Sequence, residues 1–261
     1  MKKILPIILL FTVSIILAFA IQNLEDAKSK PANELIYFPS GRYVDKLALE
    51  YRTMAADLLW LQTIQYYGQH RLTDNEFKHL FKLFDVITML DPNFEQCYVF
   101  GGTIVTYDQR SPELGMELLK KGMINMPDSW RVPFMRGFLN YVYLRDYDAA
   151  YNWFSFASAK PDAPYYCRTF AAASKEKGGD YKTALRMWSK IYEDSDNRYE
   201  KEKAENNIIA IVNRVFNRVM DDMPRQQAIK IINSEISKYD FFPFAIDASI
   251  SGDSVIVERS Q

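Results

Sequence analysis

The side chains best suited to metal binding or nucleophilic chemistry are few in this sequence and stand far apart. The chain has two cysteines, Cys97 and Cys167, and two histidines, His70 and His79. A structural zinc site needs cysteine or histidine pairs at short spacing, and the HExxH zinc hydrolases need two histidines on one helix face. Neither pattern is present. The sequence therefore predicts no metal site, and we expect both histidines to be polar residues near helix ends.

The nearest approach to a ligand loop is the acidic stretch 194–197 with Glu205 eleven positions after its first residue. A calcium-binding EF-hand loop has ligands at similar spacing, but here Arg198 stands at the third ligand position and Tyr199 where glycine makes the bend. We interpret the stretch as a solvated turn between helices. Because nucleophile elbows and complete phosphate-binding loops are also missing from the sequence, we predict no catalytic residues and no cofactor.

Composition favours an all-α protein. Of 261 residues, 48% are hydrophobic and 15% aromatic, but only 10 are glycine and 11 proline. Such a low content of turn-forming residues disfavours a many-stranded sandwich or barrel. The 32 basic and 33 acidic residues nearly cancel, which makes nucleic acid an unfavourable partner.

The N-terminus carries an export signal. Lys2 and Lys3 precede an uncharged, mostly apolar run from 4 to 21. Uncut, this run would span ~27 Å as a helix and act as a membrane anchor. The Ala-Phe-Ala sequence ending at Ala20 would instead allow cleavage by a signal peptidase. Both alternatives stay open, and both predict a bacterial envelope protein, facing the periplasm from the inner membrane or released into the periplasm.

An internal repeat runs through the body of the chain. Pro92, Pro127 and Pro161 are spaced by 35 and 34 residues. One order of small and large apolar residues recurs around these prolines. This order would let two antiparallel helices approach closely, and the proline would end the second helix. The residues that define this pattern are Gly68, Gly102, Gly137, Ala150, Phe154, Ala157, Ala172, Ala184 and Trp188.

This pattern resembles the tetratricopeptide repeat (TPR), and the stretch around 55–61 resembles bacterial exported repeat proteins of unassigned role. The resemblance implies an all-α, right-handed α-solenoid of antiparallel helix pairs. We expect a signal or anchor over 1–21, a polar linker over 22–38, and an N-terminal helical extension over 39–60 whose Leu47, Met54, Leu58 and Leu61 pack on the first repeat. About four repeats over 61–198, capping helices over 199–238 and an extended, hairpin-like tail over 239–261 would follow.

The same repeat order places the two cysteines at equivalent positions two units apart, ~20 Å from each other. We therefore favour buried free thiols over a disulfide, which an oxidising compartment would otherwise permit.

The resemblance also implies a concave groove on the first helices of the repeats. Aromatic side chains at such positions would bind an apolar or aromatic segment of a partner, or would fill gaps between units. The candidates are Phe134, Phe138, Tyr141, Tyr107 and Tyr166.

The predicted function is therefore a non-enzymatic protein–protein interaction scaffold of the bacterial envelope, which binds another envelope protein or peptide. The alternative is a periplasmic assembly chaperone for exported or outer-membrane proteins.

Overall fold

The computed structural model describes residues 49–220, 223–251 and 254–260. The predicted anchor or signal over 1–21, the linker over 22–38 and the start of the helical extension lie outside these residues. Within the described ranges, no helix combines the length and the apolarity needed to cross a bilayer.

The described residues form ten α-helices followed by two β-strands. A short 3-10 turn, Leu49–Tyr51, precedes the first helix, and a π-helical turn, Asn140–Leu144, continues the fifth. The helices are α1 Arg52–Leu72, α2 Leu80–Leu90, α3 Glu95–Tyr107, α4 Pro112–Asn125, α5 Arg131–Leu139, α6 Tyr147–Ser158, α7 Tyr166–Lys177, α8 Tyr181–Asp194, α9 Arg198–Met220 and α10 Arg225–Ile236. The strands are β1 Ile246–Ser251 and β2 Ser254–Arg259.

Local sequence sets where the central helices begin. Asp146 and Asp180 cap α6 and α8, because their carboxylates accept hydrogen bonds from the N–H groups of Ala149 (2.9 Å) and Thr183 (3.2 Å). The turn into α8 contains Gly179 at φ +85°, a left-handed conformation that glycine adopts without a steric penalty.

The chain divides into two compact units, residues 1–118 and 119–261. In the first unit α1 packs on α2, and α2 packs on α3. Trp60 of α1 lies with its ring centroid 6.1 Å from Phe84 of α2 and 5.7 Å from Phe100 of α3. Further along, a Cβ on Gly115 would come within 2.7 Å of the Gly102 carbonyl oxygen, so the backbones of α3 and α4 approach closely there.

In the second unit each helix from α5 to α10 packs on the next. One apolar cluster surrounds Phe154 between α5, α6 and α7. A larger one surrounds Trp188 and includes α8, α9, α10 and the strands. This sequential packing of helix pairs is the TPR-like arrangement, and it confirms the predicted all-α class of stacked antiparallel pairs.

The two strands form an antiparallel hairpin in which Ala248 pairs with Val257, and both side chains are buried against α9 and α10. Asn213 of α9 donates to the Val257 carbonyl (3.0 Å) and accepts from its N–H (2.9 Å). Asn233 of α10 accepts from the Ala248 N–H (3.1 Å). Two asparagines thus fasten the hairpin that the sequence predicts.

The packing of the N-terminal extension differs from the prediction. Met54, Leu58 and Leu61 are exposed, so the expectation that they pack on the first repeat is wrong. The buried face of α1 is instead formed by Ala56, Leu59, Thr63 and Tyr66. The helix carries large apolar side chains on two faces, and α2 covers the face with Leu59 and Tyr66.

Candidate protein-binding surfaces

The aromatic side chains predicted to line a groove are half-buried and pack on one another. Phe134 lies 5.3 Å from Tyr166 and 5.4 Å from Phe170, measured between ring centroids. Phe138 and Tyr141 lie 6.4 Å and 6.3 Å from the same Phe170. Phe170 of α7 is therefore the ring around which α5 and α7 meet. The sequence reasoning did not single it out, although it stands four residues after Tyr166, on the same face of its helix.

This aromatic layer extends the core of the second unit. Phe134, Phe138 and Tyr141 pack against the buried cluster of Ala150, Phe154 and Ala171. Burial also raises the pKa of the Tyr141 hydroxyl, with a smaller contribution from the charge of Glu176. Packing between neighbouring helix pairs of the second unit accounts for these rings, and a partner-binding role for their exposed edges stays a prediction.

Tyr107, the remaining groove candidate, belongs to the first unit. It is half-buried at the last position of α3. The nearby Asp108 accepts hydrogen bonds from the Tyr67 hydroxyl (3.0 Å) and the Arg71 guanidinium (3.1 Å), which ties the ends of α1 and α3 together.

The residues that define the repeat lie mostly where helices meet. Ala150, Phe154, Ala157, Ala172, Ala184 and Trp188 are at most 1% exposed, and Gly102 is buried. A Cβ on Gly137 would meet the ring of Phe154 at 2.8 Å. Gly68 differs, since a Cβ there would have no neighbour within 4 Å among the described residues.

The acidic stretch 194–197 forms a turn between α8 and α9, as interpreted from the sequence. The Ser195 hydroxyl donates to the buried Glu200 carboxylate (2.6 Å) and accepts from the Asn197 N–H (3.1 Å). Glu205 instead accepts a hydrogen bond from Arg259 of β2 (3.0 Å). In the described part of the chain no group of three histidine, cysteine or acidic side chains could hold a metal ion.

The histidines lie at helix ends and the cysteines in the interior. The Nδ1 atom of His70 lies 2.7 Å from the Asp74 carboxylate, after α1, and His79 precedes α2. Cys97 and Cys167 are free thiols with no exposed surface. Burial raises the pKa of Cys167 to about 11, which keeps this thiol protonated and unreactive at neutral pH.

An apolar cavity of the second unit lies between α8, α9, α10 and the segment that leads to β1. It has a volume of about 500 Å³, which is within the range of ligand-binding pockets. Its walls are aliphatic and aromatic side chains, namely Leu185 of α8, Val212, Val215 and Phe216 of α9, Ile231 and Ile236 of α10, and Tyr181, Met223, Tyr239, Phe241 and Phe242 around them.

Two charged residues lie at this cavity. Lys182 of α8 is exposed and forms no ion pair with the described residues, whereas Glu235 of α10 is paired with Lys238. Among the described residues, the cavity therefore offers an apolar interior with one cation at its edge that forms no ion pair. From the sequence, the aromatic run 241–244 is included in the predicted extended tail over 239–261 and is not a candidate site. An aromatic run directly after an amphipathic helix is the signal that could have located this site.

Comparison with known proteins finds remote similarity to solved structures. No protein-family model matches the chain, and no curated protein matches it. Two solved structures of MamA resemble it. One is 15% identical, with a TM-score of 0.38, and covers 61% of this chain and 90% of the MamA chain. The other is 14% identical, with a TM-score of 0.42, and covers 70% and 96%. The TPR-like fold rests on the helix packing described above.

Proposed function

We propose that the protein is a non-enzymatic scaffold that binds another protein, and that the cavity between α8, α9 and α10 holds an apolar anchor of that partner. The observation that carries the proposal is the cavity itself. It is about 500 Å³ of apolar space, lined by five aromatic rings, on a fold whose helix pairs form a rigid support.

The lining of the cavity favours a bulky apolar side chain as the anchor. Tyr239, Phe241 and Phe242 lie with ring centroids 5.0 to 6.1 Å apart, so they form one continuous aromatic wall. Aromatic and aliphatic anchors that fill such pockets supply most of the binding free energy of protein interfaces. A leucine, phenylalanine or tryptophan of the partner fits this chemistry.

The charge at the cavity adds a second requirement. Because Lys182 has no acidic partner among the described residues, a carboxylate next to the anchor would gain an ion pair on binding. The partner segment is therefore expected to carry an aspartate or glutamate within a few residues of its bulky apolar residue.

The experiment selects short random peptides displayed on phage against the protein and measures the affinity of the enriched peptides. They should share a bulky apolar residue beside an acidic one. Filling the cavity with Val215→Trp should abolish their binding, because Val215 lines it. Ala210→Trp is the matched control, since Ala210 is exposed on the same helix and does not line the cavity. Enriched peptides that bind Val215→Trp as tightly as the wild type would show that the anchor lies elsewhere.

The envelope location is part of this proposal and rests on the N-terminal lysines and the apolar run 4–21. A protein that starts at Met1 and resists carbonate extraction of membranes would support the anchored form, and one that starts at Ile21 in the soluble periplasmic fraction would support cleavage. Pull-down from solubilised envelopes separates the two modes of binding. One stoichiometric partner supports the scaffold, and many unfolded clients support the chaperone.

A further inference from the structure

The first helix carries an apolar row that no described residue covers. The row begins at Tyr51, directly before α1, and continues along one side of the helix with Met54, Leu58, Leu61 and Leu72; these five side chains are between 54% and 88% exposed. We call this row the α1 seam. The opposite side of the same helix is buried on α2, so the helix is apolar on two sides, and the described residues cover only one of them.

The spacing of the seam is that of a coiled coil. Its residues follow one another at intervals of three and four, and the two positions missing from the series are Gln65, which is exposed, and Gly68. A seam with alternating three- and four-residue steps stays on one face when two helices wind around each other. A side chain at Gly68 would meet nothing within 4 Å, so the seam has a gap there.

We propose that the α1 seam pairs with the α1 seam of a second copy of this chain, in antiparallel orientation. With the pair centred on Thr63, Met54 lies opposite Leu72 of the second copy, and Leu58 lies opposite its Gly68. A large side chain then enters the gap left by a glycine, on both sides of the axis. In a parallel pair Gly68 would face Gly68 and leave that gap empty.

The charges beside the seam favour the same orientation. Asp57 and Arg71 both occupy positions that flank the seam on one side, and in an antiparallel pair each lies opposite the other in the second copy. Asp57 is exposed and forms no ion pair with the described part of the chain. Arg71 donates to Asp108 at 3.1 Å, but its side chain is 57% exposed and a guanidinium has further donors for a second carboxylate. A parallel pair would place Asp57 opposite the neutral Gln62.

The first experiment measures the association of the full chain in a mild detergent by sedimentation equilibrium. The wild type should form a dimer, and Leu58→Glu combined with Leu61→Glu should raise the dissociation constant roughly a hundredfold or more, since buried apolar side chains become charges. Thr53→Glu is the control, because Thr53 is an exposed residue of α1 away from the seam. A monomeric wild type overturns the proposal. This includes the case in which residues 1–48 or another protein cover the seam. A seam variant that dimerises as tightly as the wild type also overturns the proposal.

The second experiment tests orientation with a short bismaleimide cross-linker. Cys97 and Cys167 have no exposed surface, so introduced cysteines are expected to react selectively. Met54→Cys and Leu72→Cys should each give no covalent dimer alone and should give one when the two variants are mixed. Cross-linking in either single variant would show a parallel pair, and no covalent dimer in the mixture would show that the helices do not pair. Either result overturns the proposal.

Discussion

Gly137 lies directly beneath the ring of Phe154, and a Cβ on this glycine would stand 2.8 Å from the Cδ1 atom of the ring. Phe154 is fully buried and also lies 5.2 Å from Phe170, between ring centroids. The ring therefore cannot move aside without disturbing α7. This contact fixes how closely α5 and α6 approach.

Gly137→Ala should lower the free energy of unfolding by ~1–3 kcal/mol, because the added methyl group overpacks the ring of Phe154. The loss should appear although alanine is the better helix former by ~0.5–1 kcal/mol. Urea unfolding followed by circular dichroism measures it.

The matched control is Gly68→Ala in the Leu58→Glu/Leu61→Glu background, which removes pairing through the α1 seam. A Cβ at Gly68 meets nothing, so this change should stabilise the chain by ~0.5–1 kcal/mol. Equal effects of the two substitutions would contradict the close approach of α5 and α6.

Phe138→Ser combined with Tyr141→Ser should destabilise the protein by ~3–5 kcal/mol, because both rings pack on Phe170 and the buried cluster around Phe154. The groove alternative left open by the sequence would instead give near-intact melting for this double variant, with loss of partner binding. Thermal unfolding decides between the two expectations. An unchanged melting temperature would contradict the core role of these rings and would support the predicted groove.

Asn213→Ala should loosen the C-terminal hairpin, because Asn213 forms two hydrogen bonds with the backbone of Val257. Hydrogen exchange of the Val257 amide should accelerate, and the free energy of unfolding should fall by ~1–3 kcal/mol. Asn207→Ala is the control on the same helix, since the Asn207 side chain donates only to the Lys203 carbonyl of its own helix, at 2.7 Å. Similar exchange in both variants would contradict the role of Asn213.

The buried Cys167 thiol should make stability fall at high pH. Burial raises its pKa from the ordinary value of 9.0 to about 11, so the folded chain holds the thiol proton more tightly than the unfolded chain does. Its stabilising contribution is complete below pH 9 and is lost as the pH rises toward 11.

Cys167→Ala removes this titration, so its free energy of unfolding should fall less steeply than that of the wild type across that interval. The difference between the two curves should change by up to ~2 kcal/mol. Parallel curves would show that Cys167 reaches water in the folded state.

The helix pairs could be predicted because their determinants are local. The repeating small residues, the prolines that end helices and the Asp-Tyr dipeptides before α6 and α8 all act within one pair of helices. Stacked repeats make contact mainly with their neighbours, so a local pattern is enough to specify the fold.

The surfaces could not be predicted in the same way, because they depend on which of two apolar faces is covered. Tyr66 and Leu61 both lie on α1 and both are apolar, yet one is buried and the other exposed. Phe138 likewise sits on a face that a groove model leaves open, and Phe170 of the next repeat partly covers it. The cavity between α8 and α10 requires the aromatic run 241–244 to fold back, which no repeat pattern contains.

The C-terminal hairpin has a consequence for how this protein could have grown. Ile246, Ala248 and Val257 occupy the apolar surface of α9 and α10 on which a further helix pair would stack. Duplication of a repeat after α10 would displace those side chains from their apolar contacts. It would also break the hydrogen bonds that Asn213 and Asn233 form with the hairpin backbone. Lengthening of the array by gene duplication is therefore confined to the pairs upstream, and lineages that vary in repeat number should vary there while keeping the two asparagines.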